Sequence, residues 1–175
     1  MKTLAQQMAV YNAYHRDERN KMTHFVGVPL IILAILIPMS WMQIHVGPFV
    51  VTGAMIFLAL VTIWYLMLDV SLGLLTFVMV LPLLWAAHAA AAQGSTTGWI
   101  VFAATFVGGW VFQLIGHAYE GRRPALVDNF LQIFVAPVFL VAEALFYFGA
   151  RKELKREVDA LTVMPDRHEA SPLAR

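Results

Sequence analysis

The chain has 175 residues, of which 60% are hydrophobic and 13% are charged, whereas soluble domains carry roughly 25% charged residues. A soluble protein of this size could not bury so much apolar surface, so the composition predicts a membrane protein. The formal net charge of +1 argues against nucleic-acid binding, and the lack of cysteine excludes disulfides, thiolate metal sites and thioether-linked haem.

Residues 3–15 form the first segment with a helical pattern. Leu4, Met8, Tyr11 and His15 fall on one face, which predicts an amphipathic helix at the membrane interface with His15 turned inward. The charged residues 17–21 that follow predict a solvated turn.

Five apolar runs come next, at residues 25–44, 46–68, 70–92, 98–115 and 130–150. A helix needs roughly 20 residues to cross a bilayer, so each run is long enough to span. The connections between the first four runs are short, which predicts antiparallel neighbours. Residues 151–163 predict a basic amphipathic helix, and residues 164–175 predict a disordered tail after a single domain covering residues 1–163.

Lysine and arginine occur in three groups: four within residues 1–21, the pair Arg122-Arg123, and six from Arg151 onward. Under the positive-inside tendency all three groups face the cytoplasm. A fifth full crossing would instead place the last group on the opposite side of the membrane. The run 130–150 also contains polar residues and a proline. The predicted fold is therefore an all-α polytopic bundle with about four spans, a re-entrant or interfacial segment at 130–150, and amphipathic helices at both ends.

A polar stripe stands at the end of the fourth run. Gln113, His117 and Glu120 are spaced three and four residues apart, so they share one helix face. Polar groups are costly beside hydrocarbon unless they are paired or coordinated. The stripe therefore indicates a functional site.

The predicted topology sorts the histidines by depth. His15, His24 and His117 lie on the cytoplasmic side, whereas His45 and His88 lie toward the opposite side. His15 and His24 would occupy opposite faces of a continuous helix, so a shared metal requires a turn between them. Imidazoles suit iron, zinc or copper, and an added carboxylate favours iron, manganese or zinc. Histidines that serve only as hydrogen-bonded structure remain the alternative.

Two motifs carry a resemblance to a known family. The first is YHRDERNKMTHFVGVP at residues 14–29, and the second runs from Trp110 to Asn129 and continues through Gln132, Ala136-Pro137 and Glu143. In this order they resemble a small integral-membrane family whose characterised eukaryotic member is a 2-hydroxy fatty acid dioxygenase of the endoplasmic reticulum.

The resemblance implies an iron(II)-dependent α-oxidation, in which dioxygen and a 2-hydroxy fatty acid give a fatty acid one carbon shorter. The family's essential histidines are carried over to His15, His24 and His117 as metal ligands. A fourth ligand could be His88, His45 or Glu120. Depth favours Glu120, and His88, which falls outside both motifs, is the less favoured ligand.

The remaining predicted site residues surround this centre. Catalytic roles are assigned to Glu120 and to Arg123, whose planar guanidinium suits a substrate carboxylate. Residues predicted to orient ligands or to contact substrate are Tyr14, Asn20, Gln113, Arg122, Asp128 and Asn129. The expected partners are the substrate, dioxygen and membrane lipid, with a homodimer possible through small-residue faces. The short loops suit a bacterial inner membrane, and a eukaryotic member would lie in the endoplasmic reticulum.

Three other functions stay open at this point. A b-type haem protein would need facing histidines at matched depths, and a Soret band would identify it. A zinc-dependent membrane hydrolase would work without oxygen. A transporter or scaffold without catalysis would hold no stoichiometric metal.

Overall fold

A computed structural model describes residues 2–121 and 132–163. This part of the chain is almost entirely helical, with one β-hairpin. In chain order the elements are α1 (Leu4–Ala13), α2 (Glu18–Ser40), β1 (Gln43–Val46), β2 (Phe49–Thr52), α3 (Gly53–Leu68), α4 (Val70–Ala92), α5 (Ser95–Glu120), α6 (Gln132–Tyr147) and α7 (Lys152–Val163). The predicted all-α membrane bundle is confirmed.

Three of the described helices, α2, α4 and α5, are long and apolar enough to cross a membrane. Helix α3 is apolar but has only 16 residues, and α6 and α7 form a pair bent by 118° that counts as at most one further span. The described residues therefore give three spans, or four with the bent pair, against the predicted number of about four.

The boundary between the first two apolar runs differs from the prediction. Helix α2 ends at Ser40, and β1 pairs antiparallel with β2 from Gln43↔Thr52 to Val46↔Phe49. Isoleucine and valine favour strands, and Gly47 takes the positive φ of +59° that the tight Gly-Pro turn needs. Residues 43–52 are therefore a hairpin, and His45 lies on an exposed strand rather than at a helix end.

The charged segment 17–21 also differs from the predicted turn. The chain turns at residues 14–17 instead, and Asp17 caps α2 by accepting a hydrogen bond from the backbone N–H of Arg19 at 2.8 Å. Asn20 is fully buried, and Lys21 forms an ion pair with Glu143 at 3.0 Å. Only the outer face of this segment is solvated.

Helices α2 and α5 approach each other closely through glycine. A Cβ added at Gly109 would lie 2.7 Å from Cγ1 of Ile31 and 2.9 Å from the backbone oxygen of Gly27, whereas one at Gly108 would meet nothing within 4 Å. The missing side chains let the two backbones touch. This contact brings the histidine of α5 against the start of α2.

The two ends of the described chain pack on the same face of the bundle. Helix α1 shares a hydrophobic cluster with α6 and α7 that includes Met8, Phe139 and Val158. Arg151, just before α7, pairs with Asp69 between α3 and α4. The N-terminal helix, the end of α5 and the C-terminal helix therefore lie together, as the distribution of basic residues predicts.

Candidate metal centre

Three histidines from three separate places in the sequence meet at this face. His15 follows α1, His24 lies in the second turn of α2, and His117 lies in the last turn of α5. All three are buried, and one ring nitrogen from each lies within 4.8 Å of the others. In the described part of the chain this is the group of side chains that could hold a metal ion.

Backbone carbonyls fix the rings of two of these histidines. Nδ1 of His15 lies 2.7 Å from the carbonyl oxygen of Tyr11, and Nδ1 of His24 lies 2.8 Å from that of Asn20. Since a carbonyl only accepts, each Nδ1 carries the proton and donates it. Each Nε2 is then left with a lone pair, as a metal ligand requires.

The two Nε2 atoms face each other at 3.0 Å. A hydrogen bond between them would require one imidazole to carry both protons and a positive charge. Both rings are buried, which disfavours a charged imidazole, and burial followed by the proximity of His24 lowers the pKa of His15 to about 3. Two opposed lone pairs in a buried site fit a cation held between them.

The third histidine completes this donor set. Nδ1 of His117 is buried and has no hydrogen-bond partner among the described residues. A buried polar nitrogen without a partner is costly, and coordination would remove that cost. Three neutral imidazoles suit iron, zinc, copper or nickel. The residues therefore fit a divalent transition-metal ion.

Glu120 is not part of the three-histidine group, but it holds the segment that carries His15. Its carboxylate accepts hydrogen bonds from the backbone N–H groups of Arg16 and Asp17, at 3.0 and 2.9 Å. It also accepts one from the Asn20 side chain at 3.0 Å. The same Asn20 amide donates to the carbonyl of Tyr14 at 3.3 Å, so Tyr14 contributes through its backbone.

A cavity of about 330 Å³ opens beside the histidines. His15, His24 and His117 line one end of it, together with Gln113. The rest of the wall is almost wholly apolar and comes mostly from residues of α2, α3, α4 and α6, with Tyr11 of α1 and Trp110 of α5. The structure thus places a metal-binding donor set at the polar end of a long apolar chamber.

The other predicted site residues fall into two groups. His88 lies away from the centre, where its Nε2 is 2.9 Å from the hydroxyl of Thr52, and it belongs to no metal-binding group of the described residues. Four predicted residues lie outside the described ranges: Arg122, Arg123, Asp128 and Asn129.

Sequence reasoning did not assign a role to two residues that the structure brings to the site. Tyr11 stacks flat on His15, with ring centroids 3.9 Å apart, and its carbonyl orients that ring. Gln132 is buried in the cavity wall, and its Oε1 has no partner among the described residues. A signal existed for Tyr11, which precedes His15 by one helical turn. Gln132 was visible as a polar residue in an apolar run and as part of the second motif, but neither signal gave it a role at the site.

Fold and site together define an integral-membrane helical protein with a buried three-histidine centre that opens into an apolar cavity. The chain belongs to the 2-hydroxy-palmitic acid dioxygenase Mpo1-like family, which it matches over residues 1–147. It is 30% identical over 158 residues to the 2-hydroxy-palmitic acid dioxygenase MPO1 of Saccharomyces cerevisiae, covering 89% of this chain and 87% of that protein. No solved structure matches the chain.

Proposed function

We propose that this protein is an iron(II)-dependent dioxygenase that converts a 2-hydroxy fatty acid into a fatty acid one carbon shorter. The observation that carries the proposal is the pair of Nε2 atoms of His15 and His24, which lie 3.0 Å apart in the lining of an apolar cavity and whose rings use both Nδ1 protons in hydrogen bonds to backbone carbonyls. The name of the yeast relative supports the substrate class and the use of dioxygen.

His15, His24 and His117 would hold the iron. Three protein ligands on one side of the ion leave positions free for other ligands, as in non-haem iron oxygenases. Bound there, iron(II) supplies the redox chemistry with dioxygen by which the bond between C1 and C2 of the substrate is cleaved. The protein's own part is to bind, orient and desolvate the reactants.

The cavity would bind the acyl chain and leave the polar head of the substrate beside the histidines. Gln113 and Gln132 line the cavity and would form hydrogen bonds with this polar head. Each amide side chain offers both a donor and an acceptor. The unpartnered Oε1 of Gln132 can accept a hydrogen bond from the 2-hydroxyl group. Burial of the head excludes bulk water from the reacting bond.

Arg123 remains our candidate for pairing with the substrate carboxylate, and Arg122, Asp128 and Asn129 remain candidates for supporting contacts. All four lie outside the described residues. The proposal for Arg123 rests on its position three residues after Glu120 and on the fit between a guanidinium group and a carboxylate.

The membrane location follows from the same chemistry, because a water-insoluble acyl chain is most accessible within a bilayer. We propose a bacterial inner membrane, or the endoplasmic reticulum if the source is eukaryotic. A homodimer through exposed small residues remains a further proposal.

The test is a turnover assay with the purified full chain loaded with iron(II) under reducing conditions. With 2-hydroxypalmitic acid and dioxygen, we expect pentadecanoic acid to form in step with oxygen consumption, as followed by mass spectrometry and an oxygen electrode. Zinc-loaded protein and anaerobic iron-loaded protein are the controls, and neither should form product.

Product formed by the anaerobic iron-loaded protein would contradict dioxygen as the oxidant, because this cleavage is a net oxidation of the substrate that hydrolysis cannot accomplish. If the iron-loaded protein forms no product from 2-hydroxy fatty acids of any length, the proposed activity is wrong.

A further inference from the structure

We propose that Leu36, Leu58 and Val80 form the floor of the cavity and set the length of acyl chain that the protein accepts. This inference rests on the proposed function and extends it to the choice among 2-hydroxy fatty acids. It concerns the end of the cavity that is farthest from the histidines.

Helix α2 gives the depth of the cavity, because residues along its length line the wall from His24 to Leu36. These two residues are separated by about 18 Å at a helical rise of about 1.5 Å per residue, a distance that roughly 14 extended methylene groups would cover. The depth therefore suits a long, unbranched chain.

Helix α3 runs antiparallel to α2 and indicates the same end of the cavity as the one farthest from the histidines. Tyr65 belongs to the hydrophobic cluster that surrounds the histidine end and includes Tyr11 and Val28. Leu58, about two turns earlier in α3, belongs instead to a second cluster. Residues of both clusters line the cavity, the first cluster near the histidines and the second away from them.

The second cluster closes the cavity. It contains Leu36, Leu58 and Val80, which come from three different helices and are each at most 9% exposed. Phe57 and Phe77 pack against this cluster and also line the cavity. A chain that reaches the floor would have to displace packed side chains to go farther, and close-packed interiors resist such displacement.

The floor should therefore discriminate by length in two ways. Each methylene that is buried in the cavity improves binding by about fourfold, and the gain ends where the chain meets the floor. Raising the floor should shift the preference to shorter chains, whereas lowering it should admit longer ones.

The experiment measures kcat/KM for saturated 2-hydroxy fatty acids of graded length with iron-loaded protein. Val80→Phe raises the floor, and we expect the ratio of kcat/KM for the sixteen-carbon acid to that for a ten-carbon acid to fall at least about tenfold relative to wild type. Leu58→Ala lowers the floor and should raise the ratio of an eighteen- or twenty-carbon acid to the sixteen-carbon acid.

Matched controls come from the lipid-facing sides of the same helices. Val78, two residues from Val80, is 56% exposed, and Leu60, two residues from Leu58, is 62% exposed. Val78→Phe and Leu60→Ala should keep the wild-type length profile. Iron content is measured for every variant, so a change in profile can be separated from a loss of the metal centre.

A second readout does not depend on turnover. Unreactive saturated fatty acids of graded length are used to displace a fluorescent long-chain fatty acid from each variant. One result would separate the two proposals. If wild type does not turn over 2-hydroxy acids, but displacement depends on chain length and Val80→Phe shifts the preferred length, the proposed function is wrong and the assignment of the floor is supported. If Val80→Phe and Leu58→Ala keep the wild-type profile in displacement, or in turnover where turnover occurs, the floor is wrongly assigned.

Discussion

Glu120 and Asn20 show how single residues organise the site without belonging to the group of histidines. The Glu120 carboxylate accepts three hydrogen bonds from residues 16, 17 and 20, which form the connection between α1 and α2 and the start of α2. Asn20 in turn orients His24 through its carbonyl oxygen. The Glu120 carboxylate at the end of α5, near His117, therefore fixes the segment that carries His15 and His24.

Glu120→Gln should weaken the metal centre without removing it. The amide group would turn a donor toward backbone N–H groups that also donate, at a cost of about 1–3 kcal/mol in unfolding free energy. We expect the affinity for iron(II) to fall by about 10–100-fold, while stoichiometric iron still binds at saturation. Metal titration of the purified protein measures both quantities.

The control is Glu18→Gln, because the side chain of Glu18 is 83% exposed and forms an ion pair with Lys21. This variant should bind iron like wild type. Loss of stoichiometric iron from Glu120→Gln even at saturation would instead make Glu120 a ligand, as the depth argument from the sequence favoured.

At the scale of elements, the centre depends on how closely α5 approaches α2. Gly116 precedes His117, and a Cβ added there would meet the side chains of Asn20 and Thr23. Any side chain at this position would push the two helices apart and separate His117 from His24.

Gly116→Ala should therefore destabilise the protein by about 1–3 kcal/mol and lower its iron affinity. Gly108→Ala is the matched control, since a Cβ at that position meets nothing within 4 Å and should leave both properties unchanged. Thermal unfolding and metal titration test the pair. Equal behaviour of the two variants would contradict the described packing of α2 on α5.

The sequence predicted these elements unevenly, for physical reasons. Hydropathy identified the apolar helices, and the spacing of His15 and His24 required the turn that the structure shows between α1 and α2. The hairpin at residues 43–52 was missed, because a short stretch rich in valine and isoleucine looks like the end of a membrane helix in a hydropathy pattern. The glycine contacts were only partly predictable. Gly108 and Gly109 are adjacent glycines that the sequence does not distinguish, but of these two only Gly109 packs against α2.

At the scale of the whole molecule, the three-histidine group, the N-terminal helix and the C-terminal helix lie on one face, and the hairpin lies at the far ends of α2 and α3. The chain contains no cysteine, so single cysteines can report this arrangement directly. We expect Lys2→Cys and Arg156→Cys to react with a membrane-impermeant maleimide from the same side, and His45→Cys from the opposite side. Labelling of Arg156→Cys and His45→Cys from one side would contradict this topology.

The cavity could not be predicted at this scale, because its wall combines residues from six helices between Tyr11 and Pro137. Periodicity shows which face of a helix is apolar, but it does not show where neighbouring faces fail to fill the space between them. The histidine group was more accessible to prediction, since topology and two motifs placed its three members on one side. Its details, such as the opposed Nε2 atoms, depend on backbone carbonyls that carry no sequence signal.

The central claim is that His15, His24 and His117 bind iron, and metal analysis of the detergent-purified protein tests it most directly. Wild type and His88→Ala should each contain about one iron per chain after reconstitution, because His88 contacts Thr52 rather than the centre. His117→Ala should contain none and should be inactive. Iron retained in His117→Ala, or no stoichiometric metal in carefully reconstituted wild type, would contradict the account.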